Sequence, residues 1–85
     1  MNSKVIRILR RPEVTLMTGL SKSSLQIRIN QGTFPPPISL GARAVGFVEH
    51  EVEATLRELL KAPDENHLTK FIKDLVSTRT NGGKI

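Results

Sequence analysis

Gly19-Leu20-Ser21 leaves room for only a tight turn between two segments that each carry their own start and stop signals. Upstream, Pro12 suits a first helical residue, because its missing N–H would have no partner there in any case. Glu13 follows in the first turn, where an acidic side chain favours the helix dipole, and Gly19 can end the helix. Val14 and Met17 share a face at i, i+3 spacing. A helix this short is stable only when packed on something else. Downstream, Ser21 is a favoured N-cap, and Leu25 and Ile29 lie on one face at i, i+4. Gly32 then offers the left-handed residue that commonly closes a helix. Residues Pro12 to Gln31 therefore read as helix, short glycine-containing turn, helix: the arithmetic of a helix-turn-helix.

The flanking segments fill in a small domain. Val5–Leu9 is short, β-branched and bracketed by basic residues, so it reads as a strand. Phe34 leads into Pro35-Pro36-Pro37, which must be extended. Ile38-Ser39-Leu40 and Val45-Gly46-Phe47 flank the turn Gly41-Ala42-Arg43-Ala44, predicting a small β-hairpin, a wing after the helix pair. Glu49–Leu60 is the next helix, with Val52, Leu56, Leu59 and Leu60 on one face. Ala62-Pro63-Asp64 breaks the chain before a last helix over 65–78, where Leu68, Phe71, Ile72, Leu75 and Val76 form an apolar stripe. That stripe either folds back on the domain or packs against its twin in a homodimer. Residues 81–85 read as a frayed terminus. The expected core is Val14, Met17, Leu20, Leu25, Ile29, Phe34, Ile38, Leu40, Phe47, Val52 and Leu56. The fold class is mainly α with a small β-hairpin, a winged helix-turn-helix over 1–61 followed by a C-terminal helix and tail over 62–85.

Charge locates the functional surface. The chain has 13 Lys and Arg against 8 Asp and Glu, a net charge of +5. Residues 1–50 hold seven basic residues and two acidic ones, whereas 51–85 hold six of each. All of the excess thus belongs to the strand, helix pair and hairpin, as in a polyanion-binding unit with an appended structural piece. The plain alternative is a charge that serves solubility.

Other functions are poorly provided for. The absence of cysteine removes disulfides, Cys-ligated zinc and a thiol nucleophile, and His50 and His67 are too sparse for a metal cluster. With no nucleophile–base or carboxylate pair, neither an enzyme nor a cofactor or small-molecule substrate is expected. Three phenylalanines without Trp or Tyr offer few platforms for single-stranded nucleic acid. No apolar run approaches the roughly 18–20 residues of a membrane span, and Arg7, Arg10 and Arg11 interrupt any signal-peptide core, so a cytoplasmic protein without membrane contact is expected.

Four runs carry a family resemblance: Ile8-Leu9-Arg10-Arg11-Pro12-Glu13-Val14, Thr18-Gly19-Leu20-Ser21-Lys22-Ser23-Ser24, Gln31 through Phe47, and Glu49-His50-Glu51-Val52. In this order they resemble the AlpA-type phage regulatory proteins over roughly residues 6–60. The resemblance implies a small winged helix related to the MerR-type DNA-binding domain and associated with prophages and genomic islands. Some members activate an integrase or excisionase gene, and related small proteins act as excision factors. Duplex DNA, with RNA polymerase or an integrase as protein contact, is the implied set of partners. Many members have an aromatic residue where this chain has Gln26, and many stop near the position of Leu60, so the last helix receives no role from the resemblance.

In a helix-turn-helix the start of the second helix meets base edges in the major groove. Lys22, Ser23, Ser24, Gln26 and Ile27 stand there, away from Leu25 and Ile29. Gln26 suits bidentate contact with adenine, and Lys22 suits guanine or a phosphate. Arg28 can reach the backbone or the groove edge. The hydroxyls of Ser21, Ser23 and Thr33 can position phosphates, with plain helix capping the stronger reading for Ser21. For Lys22 and Arg28 the bland reading is a solvated face. Arg43 at the hairpin tip suits a narrow minor groove or its flanking phosphate. Arg7, Arg10 and Arg11 can add backbone contacts, or one of them can pair with Glu13 or Glu49. Three functions follow: a transcriptional regulator of a mobile element, an excisionase-like architectural factor, or a protein-interaction domain with no DNA role.

Overall fold

A computed structural model describes residues 6–83, with side chains described as far as Arg79. The elements are β1 (Ile8–Leu9), α1 (Arg11–Thr18), α2 (Lys22–Gln31), β2 (Ile38–Gly41), β3 (Ala44–Val48), α3 (Glu49–Leu59) and α4 (Glu65–Gly83). Among the described residues, no helix is long and apolar enough to cross a membrane.

The helix pair ends where its punctuation predicts. The Arg10 N–H donates to Glu13 Oε1 at 2.7 Å, tying off the start of α1. Gly19 closes it at φ 76°, a left-handed conformation that costs a residue with a Cβ. The Ser24 N–H donates to Ser21 Oγ at 3.0 Å, the N-cap bond of α2. At its far end Gly32 takes φ 79°. The Gly32 N–H reaches the Ile29 carbonyl at 3.1 Å and the Thr33 N–H the Arg28 carbonyl at 3.0 Å, a paired closure of the last turn.

The hairpin is part of a larger sheet than expected. Three antiparallel strands lie in the order β1-β3-β2. Ile8 pairs with Val48 and Leu9 with Phe47, so the first strand closes on the third across the whole helix pair. The strand expected over Val5–Leu9 is confined to Ile8–Leu9, and Val5 lies outside the described residues. On the other side of β3, Ile38 pairs with Gly46 and Ser39 with Val45, and the register slips before Gly41 meets Ala44. Ala42 and Arg43 make the turn, with Ala42 at a positive φ of 44°.

Leu9, Val14, Leu25, Phe34, Phe47 and Val52 form the central apolar cluster, with Leu20, Ile29 and Leu56 packed against it. The Phe34 and Phe47 rings meet edge to face, 6.2 Å between centroids. Three expected core residues lie outside it: Met17 is 40% exposed, Leu40 44%, and Ile38 is half-buried. Val14 takes the inward position on α1, and Leu40 shares the sheet face of Gly46, opposite to Phe47.

The packed face of α3 also differs from the apolar pattern. Glu51, Val52, Thr55 and Glu58 are buried there, whereas Leu60, expected on that face, is 86% exposed. The buried polar groups are matched. Thr55 Oγ1 donates to the Glu51 carbonyl at 2.8 Å. Arg79 Nε donates to Glu51 Oε2 at 2.7 Å and Nη2 to Glu51 Oε1 at 2.5 Å. His67 Nε2 lies 2.6 Å from Glu58 Oε2, and Lys61 Nζ 3.3 Å from Glu58 Oε1. Both carboxylates therefore face cations or donors rather than apolar surface, as buried charges must.

The last helix packs against α3 within the chain, burying Leu68 and Ile72. It continues past the expected end at Thr78 to Gly83, so residues 81–83 of the expected tail are helical, while 84 and 85 lie outside the described residues. The bonds of Arg79 hold the turn after Thr78 and favour this continuation.

Candidate nucleic-acid interface

On α2, Leu25 is buried and Ile29 half-buried, which turns Lys22, Ser23, Gln26, Ile27 and Asn30 to the surface. Lys22, Ser23, Gln26 and Ile27 thus share the exposed side of one helix, as their spacing from Leu25 and Ile29 requires. Ile27 is 54% exposed, an apolar side chain among polar ones. Ser24 is half-buried in the cap, where the Ser21 hydroxyl donates to its Oγ at 3.1 Å. Arg28 is half-buried. Thr33 is buried and its Oγ1 donates to the Arg28 carbonyl at 3.2 Å, so its hydroxyl closes the helix rather than serving a phosphate.

Asn30 joins this surface without having been singled out in the sequence. Gln26 Nε2 donates to Asn30 Oδ1 at 3.0 Å, one helical turn along. The Gln26 oxygen and the Asn30 nitrogen take no part in that bond, so the pair still offers an acceptor on Gln26 and donors on both amides. The i, i+4 spacing of two amides was the available signal, obscured by the position of Asn30 near the helix end.

The start of α1 adds a second cation. Arg11, Pro12, Thr15 and Lys22 line one cleft of about 260 Å³, bringing two predicted site residues together where both helices begin. Arg11 is also fixed from behind, its guanidinium carbon 5.4 Å from the centre of the Phe47 ring. Arg7 instead pairs with Glu49 at 3.3 Å, one of the pairings the sequence left open. Arg43 is exposed at the β2–β3 turn. His50 is exposed in the first turn of α3.

Fold and surface together define a compact, mainly helical domain with a small antiparallel sheet, whose first 50 residues hold the whole excess of positive charge. Its family follows from sequence comparison. The family model described as prophage CP4-57 regulatory protein (AlpA) matches residues 7–58, and the chain belongs to this AlpA family. The ORF88 protein of Enterobacteria phage P4 is 46% identical over 48 residues, covering 56% of this chain and 54% of that protein. The match thus spans about half the length of the phage relative. The DNA-binding transcriptional activator AlpA of Escherichia coli (strain K12) is 32% identical over 66 residues, covering 71% of this chain and 94% of that protein. No solved structure matches the chain significantly.

Proposed function

We propose that this chain is a sequence-specific duplex-DNA-binding regulator of transcription for a prophage or genomic island, built as a winged helix-turn-helix. In this reading α2 enters the major groove and the β2–β3 hairpin is the wing. The observation that carries it is the exposed side of α2. Lys22, Ser23, Gln26 and Asn30 supply donors and acceptors to that surface while Leu25 holds the opposite side in the core. A major groove admits one helix, and amide and cationic side chains read adenine and guanine edges there. Arg11 and Lys22, sharing a cleft at two helix starts, suit a phosphate beside the groove. The printed name of the Escherichia coli relative, a DNA-binding transcriptional activator, supports the same reading.

The experiment is selection of duplexes from a random pool by the purified chain, followed by footprinting on DNA that flanks its own gene. Enrichment of a defined motif and protection at a promoter are expected. Protection of adjacent site arrays in a recombination attachment region would assign the excision role instead. Binding absent even at low salt would overturn both in favour of a protein-interaction domain.

A further inference from the structure

Arg79 stands in α4, beyond residues 7–58 that the family model matches, yet it bonds to the base of the hairpin. Its guanidinium serves two elements at once. Nε and Nη2 grip both oxygens of Glu51 in the first turn of α3, and Nη2 also donates to the Pro36 carbonyl at 2.7 Å. The Glu51 side chain is 2% exposed and that of Arg79 24%, so the fork is largely shielded from water. Charge-assisted, forked bonds of this kind fix geometry as well as adding energy.

The point of attachment matters more than the strength. Residues 35–37 are prolines, which fix their own φ and carry no N–H. Orientation imposed at Pro36 is therefore transmitted through Pro37 to Ile38, the first residue of β2. The opposite side of the sheet is held by the pairing of β1 with β3. Arg79 completes the second support. Four strand residues carry the hairpin about 13 Å from this base, so a tilt of about 10° there displaces the tip by about 2 Å. Such a displacement is enough to break a hydrogen bond from Arg43 to a phosphate.

We propose that Arg79 is a positioning residue that sets the inclination of the β2–β3 hairpin toward DNA, making α4 a strut for the wing. This rests on the reading of the hairpin as a DNA contact, and the test separates the two. Affinity for the duplex enriched from the random pool, and its salt dependence, are measured for the full chain with Arg43→Ala, Arg79→Ala, Arg79→Lys and each Arg79 change combined with Arg43→Ala. Arg79→Lys keeps a positive charge opposite Glu51 but lacks the fork, and it carries the test if Arg79→Ala fails to fold. Thermal midpoints are recorded in parallel.

The expected result is that Arg43→Ala and the Arg79 variants each weaken binding several-fold and flatten the salt slope by about one unit. In the Arg43→Ala background the Arg79 change then costs nothing further, because its effect runs through the hairpin. Independent, multiplying losses would overturn the positioning role while leaving the hairpin contact standing. A lowered thermal midpoint with unaltered affinity would overturn it also. If Arg43→Ala by itself leaves affinity and slope unchanged, the hairpin does not contact DNA, and both the contact and the strut fall.

Discussion

Ile8 Cγ2 occupies the space where a side chain at Gly46 would begin. A methyl group built on Gly46 would overlap that carbon and stand 3.1 Å from Leu40 Cδ1 and 3.3 Å from the Leu9 carbonyl oxygen. The central strand thus gives up a side chain so that its two neighbours can close over it. Gly46→Ala is expected to destabilise the fold by about 1–3 kcal/mol, the usual cost of overpacking. Ile8→Ala in the same chain should recover part of the loss by removing the overlapping carbon. Urea denaturation of the two single variants and the double variant checks this, and additive losses would show that the two positions do not compete.

If α2 enters the major groove as proposed, the Gln26 oxygen and the Asn30 amide would answer the donor and acceptor of an adenine edge. Gln26→Ala is expected to relax preference at one position of the selected motif by about 1–3 kcal/mol, with Lys22→Ala doing so at a neighbouring one. Asn30→Asp replaces the donor by an acceptor and should disfavour the base that the wild type selects. Competition between selected and scrambled duplexes measures each. Undiminished discrimination would remove α2 from the groove.

Arg11 combines a charge with a packing role over Phe47, and the two separate on substitution. Arg11→Met keeps an apolar stem against the ring while deleting the charge. Stability is expected to change by less than about 1 kcal/mol. The salt slope of DNA binding should flatten by about one unit. A lowered melting midpoint with the slope intact would assign Arg11 to packing alone.

Glu58 makes stability depend on acid. The hydrogen bond from His67 holds its carboxyl below the ordinary glutamate value of 4.5, helped by Lys61 and opposed by burial. A depressed carboxylate contributes stability that is present above its unfolded value and lost as pH falls through its folded one. The wild type should therefore lose stability progressively below about pH 4.5, and Glu58→Gln should flatten that limb. Denaturation midpoints across the acid range check the sign, and a steeper limb in the variant would contradict it.

What could be read from the sequence was what is decided locally. Pro12, Gly19, Ser21 and Gly32 act within one turn of themselves, so the limits of α1 and α2 followed from residue types to within one residue, α1 beginning at Arg11 rather than Pro12. The inward face of α3 did not, because Glu51 and Glu58 are buried against Arg79 and His67 of α4, and Thr55 turns its hydroxyl onto the Glu51 carbonyl. Apolar periodicity instead favoured Leu60, which meets no such partner surface and is exposed. The pairing of β1 with β3 was equally invisible, since two residues carry no register until Phe47 and Val48 are placed beside them. On the candidate surface, helical spacing sufficed to bring Lys22, Ser23, Gln26 and Ile27 together, while the capping role of Thr33 depended on the geometry of the last turn of α2.

The closure of β1 on β3 also bears on how the chain comes into being. Synthesis delivers Leu9, Val14, Leu25 and Phe34 before Phe47, the residue that both pairs with Leu9 and meets Phe34 edge to face. Neither α1 nor α2 is long enough to persist alone in water. A nascent or truncated chain that stops short of Phe47 therefore carries every side chain of the α2 surface and has no scaffold on which to display it. In the proposed reading, the recognition surface is completed all at once, with the third strand.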